Sequence, residues 1–195
     1  MRIIAITFVL GILFSAIGFI FWYQQLQYLL PTPVPKNYKA ILAGQFIIDT
    51  ALQDQSQSTT KLLHFFNPDC PCSRFNLKHF LSLKNKYNKQ IDFYAVVTSE
   101  EKLVAAKELL DEDIPILIDQ EEKLAKACGV YSTPQAAILS TSNQLYFRGN
   151  YNRSRYCTDP HSNYVQMALD SLAAGKRPPH FGTLATLSYG CSIAQ

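Results

Sequence analysis

The sequence has no basic cluster. Its 18 Lys and Arg against 15 Asp and Glu leave a net charge of +3 over 195 residues, which gives nucleic-acid binding no electrostatic footprint. Internal repeats and low-complexity tracts are absent as well, and the length corresponds to one folded domain plus extras. Charge is missing altogether from Ile3 to Tyr23, a run long enough to cross a bilayer as a helix, which takes about 20 apolar residues. Nor is there a small-x-small cleavage site after a short apolar core, since Phe14 stands where a small residue would precede Ala16. An uncleaved anchor over residues 1–24 is therefore expected, in preference to a cleaved signal. Positive charge resumes only at Lys36 and Lys39, so the positive-inside tendency keeps the N-terminus in the cytoplasm and sends the rest across an inner (cytoplasmic) membrane, into the periplasm or outside. Trp22 and Tyr23 sit where interfacial aromatics belong. Pro31, Pro33 and Pro35 predict a semi-rigid spacer within a linker over residues 25–44. Five cysteines suit an oxidising compartment, and their odd number leaves at least one unpaired within a single chain.

Two of those cysteines stand at the centre of the chain's pattern. Lys61 to Phe66 is a short apolar run ended by Asn67-Pro68, after which Phe80, Leu83 and Tyr87 recur at helical spacing. The order is strand, tight turn, helix, with Cys70 and Cys72 at the joint. Unpartnered N–H groups at a helix start carry partial positive charge and favour a thiolate, and Arg74 adds a cation nearby. The alternative is that both are buried small hydrophobes.

Further along, Gln45 to Ile48 reads as a short strand and Asp49 to Gln57 as helix or loop. Ile91 to Val97 reads as a buried strand, and Thr98 with Glu101 as a capping box opening a helix faced by Leu103, Ala106 and Leu110. Ile114 to Ile118 is apolar; Asp119 and Glu122 repeat the capping spacing before a helix that buries Cys128 as a structural residue and stops at Gly129. Gln135–Ser140 and Leu145–Gly149 form a hairpin, and Asp159-Pro160 opens a last helix with Val165, Ala168, Leu169 and Leu172 on one face. The domain is expected over residues 45–176, with a tail over 177–195 that ends in Tyr189-Gly190-Cys191. Strands alternating with helices give an α/β layered fold, with the thiols at the carboxyl end of its first central strand, where open sheets bind ligands.

Cys70-Pro71-Cys72 after Phe65-Phe66, with Val130-Tyr131-Ser132-Thr133-Pro134 some sixty residues on, resembles the thioredoxin fold. Ile116-Leu117-Ile118-Asp119, Gly129-Val130 and Tyr146-Phe147-Arg148-Gly149 look like its redoxin branch, which includes membrane-tethered thiol–disulfide proteins and the alkyl hydroperoxide reductase superfamily. The resemblance covers roughly residues 46–172. It implies a three-layer sandwich, a central mixed sheet with helices on both faces, behind one transmembrane helix. It also implies that Pro134 is a cis-proline beside the thiols, where such proteins pair with an extended substrate backbone. His64 stands where thioredoxins keep a buried acid that manages the second thiol's proton; a histidine can do that work, or can simply be satisfied in the core.

The resemblance is imperfect. Only Pro71 separates the cysteines, where the family has two residues. Asn67 and Leu63 occupy the places of the threonine or serine and the proline that precede a peroxidatic cysteine, so a standard peroxidase site is missing. The expected activity is thiol–disulfide exchange by a tethered oxidoreductase without a cofactor, with Cys70 attacking and Cys72 resolving, on an open pair that meets protein thiol or disulfide substrates and a recharging redox partner. The alternatives are a copper-binding carrier ligated by Cys70 and Cys72, and a nonstandard thiol peroxidase. Cys157 and Cys191 are expected to form a structural disulfide; alternatively Cys191 reaches the thiol pair as an extra resolving cysteine.

Overall fold

Helix α1 (Arg2–Gln25) is apolar on every side, with Phe8, Phe14 and Phe21 all exposed. Such a helix has no polar face to turn toward water, and at about 36 Å it is long and apolar enough to span a membrane. The computed structural model describes residues 2–25, 30–49, 52 and 59–193, which divide into one unit over Met1–Leu30 and a second over Pro31–Gln195.

The second unit is a mixed sheet with helices on both faces, a thioredoxin-like fold as the sequence implies. Its strands are β1 (Thr60–Phe65), β2 (Ile91–Val97), β3 (Ile116–Ile118), β5 (Gln135–Leu139) and β6 (Leu145–Gly149), in the order β3-β2-β1-β5-β6. β1 runs parallel to β2 and antiparallel to β5, so it is central and buried on both faces. That is why Leu62 and Leu63 are both fully buried: alternate side chains enter opposite cores. Leu62 and Phe66 join Phe80, Leu83 and Tyr87 of α2 (Pro71–Tyr87) and Val165, Ala168 and Leu169 of α5 (Tyr164–Ala173). Leu63 and Phe65 join Leu124, Ala125 and Cys128 of α4 (Lys123–Cys128) on the other face.

Caps follow the sequence with small shifts. Ser99, not Thr98, caps α3 (Glu100–Lys107), accepting from the Lys102 N–H. Asp119 accepts from Leu124 and Ala125 N–H at 2.8 Å each, and Gly129 ends α4 at φ +70. Asp159 caps only a 3-10 turn over Pro160–Ser162, and Asn163 precedes α5. The strand expected over Gln45–Ile48 reduces to one bridge, Phe46 to Gln144, because the chain turns at Gly44 and only Ile47 of these residues is buried. Most of the helix or loop expected over residues 49–57 lies outside the described residues.

Two stretches expected to lie off the domain lie along it. From Pro31 the proline-containing run is docked: Thr32 is buried, donates its N–H to the Ser188 carbonyl at 2.8 Å, and Pro31 bridges Tyr189. The tail is anchored by Asn150, whose N–H bonds Ala185 O at 2.7 Å and whose Nδ2 bonds Leu184 O and Leu187 O at 2.9 and 2.7 Å. Each segment satisfies backbone groups that the other would leave unpaired on burial, which is why neither hangs free.

His64 belongs to the core. Its Nδ1 lies 2.8 Å from the Tyr151 hydroxyl and its ring stacks on Phe80 with centroids 4.2 Å apart. Burial holds the ring neutral, pulling its pKa from 6.5 down to about 3. The unfolded chain takes up this proton near pH 6.5 and the folded chain only near pH 3. Stability is therefore complete above the upper value and falls on acidification through that window, by up to about 1.4 kcal/mol per pH unit. His64→Phe keeps a ring on Phe80 but removes the titration. It is expected to cost about 1–3 kcal/mol at neutral pH, through the unpaired Tyr151 hydroxyl, and to flatten the acid slope seen in urea midpoints. An unchanged slope would exclude His64 as its source.

Candidate active site

The site forms where β1 hands over to α2. Asn67 Oδ1 accepts from the Asp69 N–H at 3.1 Å, and the Cys70 N–H donates to Asn67 O at 3.0 Å, folding Asn67-Pro68 into a tight turn. Cys70 is then the N-cap of α2, extended at φ −82 and ψ 119, with Pro71 in the first helical position that proline favours. Its sulfur lies at the positive end of a 17-residue helix.

Across from it, the Thr133-Pro134 peptide is cis, as the resemblance implies. The Thr133 carbonyl oxygen lies 3.7 Å from Cys70 Sγ. Strand β4 (Ser132–Thr133) pairs antiparallel with β7 (Cys191–Ser192), which sets Cys191 against Thr133. Cys191 is bonded to Cys70, 121 residues away in sequence, with Cα atoms 6.1 Å apart.

This arrangement corrects several expectations. Cys70 and Cys72 are not an open, bonded pair: Cys70 is 1% and Cys72 0% exposed, because the tail lies over them, and Cys72 is a free thiol. The bridge expected between Cys157 and Cys191 does not form, since Cys191 is committed to Cys70. Cys157 instead keeps a free sulfur 3.1 Å from Asn76 Nδ2, and burial pushes it up to about 11. Arg74 is exposed; the cation acting on a site thiol is Arg155, which donates to Cys72 and pulls its pKa down, although burial pushes it up by more. His64 contacts Tyr151, Phe66 and Phe80, and is held neutral as described. Among the described residues no group of three or more His, Cys, Asp or Glu side chains is arranged to hold a metal ion, and Cys70, one of the two ligands of the alternative metal pairing, is taken up by its bond to Cys191. Cys128 is buried in the core of the far face.

Sequence reasoning passed over Arg155 and Thr32, and it noted Tyr189-Gly190 without a role. Arg155 sits in a loop with no motif, under Phe75 and Tyr156, where nothing local predicts its target. Gly190 did carry a signal, a glycine directly before a cysteine. At φ +106 it lies so close to β4 that a Cβ would fall 2.2 Å from Thr133 O. Around it, Thr32 Oγ1 donates to Gly190 O at 3.2 Å, Ser132 Oγ to Tyr189 O at 3.3 Å, and the Tyr189 hydroxyl to Asn152 O at 2.9 Å.

Fold and site together define a thioredoxin-like protein with a disulfide at the strand-to-helix corner. The chain belongs to a family described as a domain of unknown function, DUF6436, which matches residues 43–193 and so takes in both bonded cysteines. No curated protein matches it. It is similar to a hypothetical protein from Sinorhizobium meliloti 1021, at 21% identity over 80% of this chain and 96% of that one, with a TM-score of 0.66. An uncharacterized conserved protein from Geobacillus kaustophilus is alike at 21% identity over 84% and 98%, with a TM-score of 0.63. The pneumococcal exposed lipoprotein thioredoxin of Streptococcus pneumoniae strain TIGR4 matches 48% of this chain and 75% of its own, at 21% identity and a TM-score of 0.42.

Proposed function

We propose that this protein is a membrane-tethered thiol–disulfide oxidoreductase of the redoxin branch whose working couple is Cys70 and Cys191. The observation that carries the reading is their bond, formed between a helix-capping cysteine and a tail strand laid against Thr133-Pro134. Cys191 is part-exposed whereas Cys70 is buried, so an external thiolate enters at Cys191. Its attack forms a new S–S bond to Cys191 and breaks the old one, and Cys70 departs as a thiolate favoured by the helix N–H groups. A second external thiolate then takes the first off Cys191. The protein leaves with two thiols, its partner with one disulfide, and two electrons have passed inward; to reduce a partner, the Cys70 thiolate attacks the partner's disulfide and Cys191 resolves the mixed disulfide. Cys72, buried and held as a thiol, takes no part in the exchange.

On this reading α1 anchors the domain to the cytoplasmic membrane, with the domain in the periplasm or outside, where a disulfide persists. The partners are protein thiols and disulfides, together with a protein that recharges the couple. Cys70→Ser in the full chain, held in detergent, is expected to abolish reduction of insulin disulfides, and Cys128→Ser to leave it unchanged. Undiminished turnover by Cys70→Ser would overturn the reading.

A further inference from the structure

We propose that Gly190-Cys191-Ser192-Ile193 is an internal copy of the substrate, so that the protein acts on extended segments with a cysteine preceded by glycine and followed two residues later by an apolar side chain. This rests on the oxidoreductase reading and adds what the enzyme selects and how it lets go. Cys70 is 1% exposed because the tail strand covers it, and any segment that bonds to Cys70 must take that strand's place against Ser132 and Thr133. The place has defined walls. Before the cysteine there is no room for a Cβ, which would sit 2.2 Å from Thr133 O and 3.5 Å from Cys72 Cβ. The following residue, Ser192, borders a cavity of only about 30 Å³. Two residues on, Ile193 donates its N–H to Tyr131 O at 3.0 Å and borders a groove of about 310 Å³ walled by Pro35, Tyr38, Ile41, Val130 and Tyr131. An extended strand supplies the backbone pairing, glycine the close approach, and the groove the apolar contact.

Sharing one edge also couples resolution to release. In the reduced protein, the Cys70 thiolate attacks a substrate disulfide; one substrate sulfur bonds to Cys70 and the other leaves as a thiolate that takes up a proton. The Cys191 thiolate, returning to the same edge, attacks Cys70 Sγ. The Cys70–Cys191 bond forms, the bond to substrate breaks, and the second substrate sulfur leaves reduced. Two electrons pass to the substrate, and the strand that completes the chemistry also occupies the seat of the product.

The test uses the full chain in detergent as Cys191→Ser, reduced and desalted, so that Cys70 is free and the tail is held by backbone contacts alone. Three peptides carry thionitrobenzoate on their cysteine: Tyr-Gly-Cys-Ser-Ile, the same with alanine for glycine, and the same with aspartate for isoleucine. Attack by Cys70 releases the yellow thionitrobenzoate anion, and the Cys70→Ser, Cys191→Ser double variant supplies the background. The first peptide is expected to react at least about tenfold faster than either of the others, the equivalent of one lost contact of moderate strength. Equal rates for the three overturn the template and leave the exchange chemistry standing. Failure of Cys70 to react even with the small disulfide 5,5′-dithiobis(2-nitrobenzoate) overturns the oxidoreductase reading itself.

Discussion

Cys191→Ser is expected to leave the full chain able to start exchange and unable to finish it. With the resolving sulfur gone, the mixed disulfide between Cys70 and a protein substrate should accumulate on a non-reducing gel, while insulin reduction falls by about two orders of magnitude or more. The size follows from proximity. Cys191 is tethered by a tail already anchored at Asn150 and Tyr189, and intramolecular delivery of this kind is worth effective molarities of about 10⁵ M or more when geometry is good. A bulk thiol at millimolar concentration does not replace it. Cys72→Ser is the contrasting variant: its sulfur is unbonded and burial disfavours its thiolate, so turnover should stay within about threefold of the parent. The opposite pattern, loss with Cys72→Ser and retention with Cys191→Ser, would return the resolving role to the Cys-Pro-Cys pair.

That pair shows how far local sequence reaches. Apolar runs and helical spacing located β1, α2, β2, α4 and the hairpin of β5 and β6, because each of these elements is shaped by its own burial pattern. Turn and cap chemistry likewise put Cys70 at the start of α2, where Asn67, Pro68 and Pro71 act within a few residues of it. The partner of Cys70 is less legible: the bond matches the alternative in which Cys191 reaches the thiol pair, not the leading expectation. Nearness in sequence favours Cys72, but Cys70 is bonded across 121 residues to a tail that from His180 onward is neither periodic nor charged. Its course is set by long-range hydrogen bonds to Asn150, Thr32 and Tyr131, contacts that leave no pattern in the tail itself. Sequence position points to Arg74 and not to Arg155, whose charge reaches Cys72 from a loop some eighty residues later.

Cysteine placement also separates the three free sulfurs. Cys128 packs among Leu63, Leu124 and Val130 in a fully buried core. Cys157 and Cys72 both act on the Tyr189 hydroxyl, which is pushed up strongly by burial. The tail is thus seated over two thiols that stay protonated at neutral pH, and neither competes with Cys191 for Cys70.

Gly190→Ala is expected to make the Cys70–Cys191 bond easier to reduce. The new methyl group would fall 2.2 Å from the Thr133 carbonyl oxygen, a backbone atom of β4 that cannot swing aside, and alanine would also be held at φ +106. Strain of that kind costs about 1–3 kcal/mol, and it acts on the bonded form, in which the tail has to lie against Thr133. In the dithiol form nothing covalent holds the tail, and residues 189–193 can lift to relieve the clash. The equilibrium therefore moves toward the dithiol by roughly 5- to 150-fold, or about 20–65 mV toward less negative potential for a two-electron couple. Equilibration against glutathione, with the disulfide fraction read by mass after alkylation, measures the shift directly. Cys70 should become correspondingly faster to alkylate in the reduced variant, because the strand that covers it no longer closes. An unchanged potential together with an unchanged alkylation rate would mean that the tail leaves room at Gly190, and that the close approach to Thr133 does not govern access to Cys70.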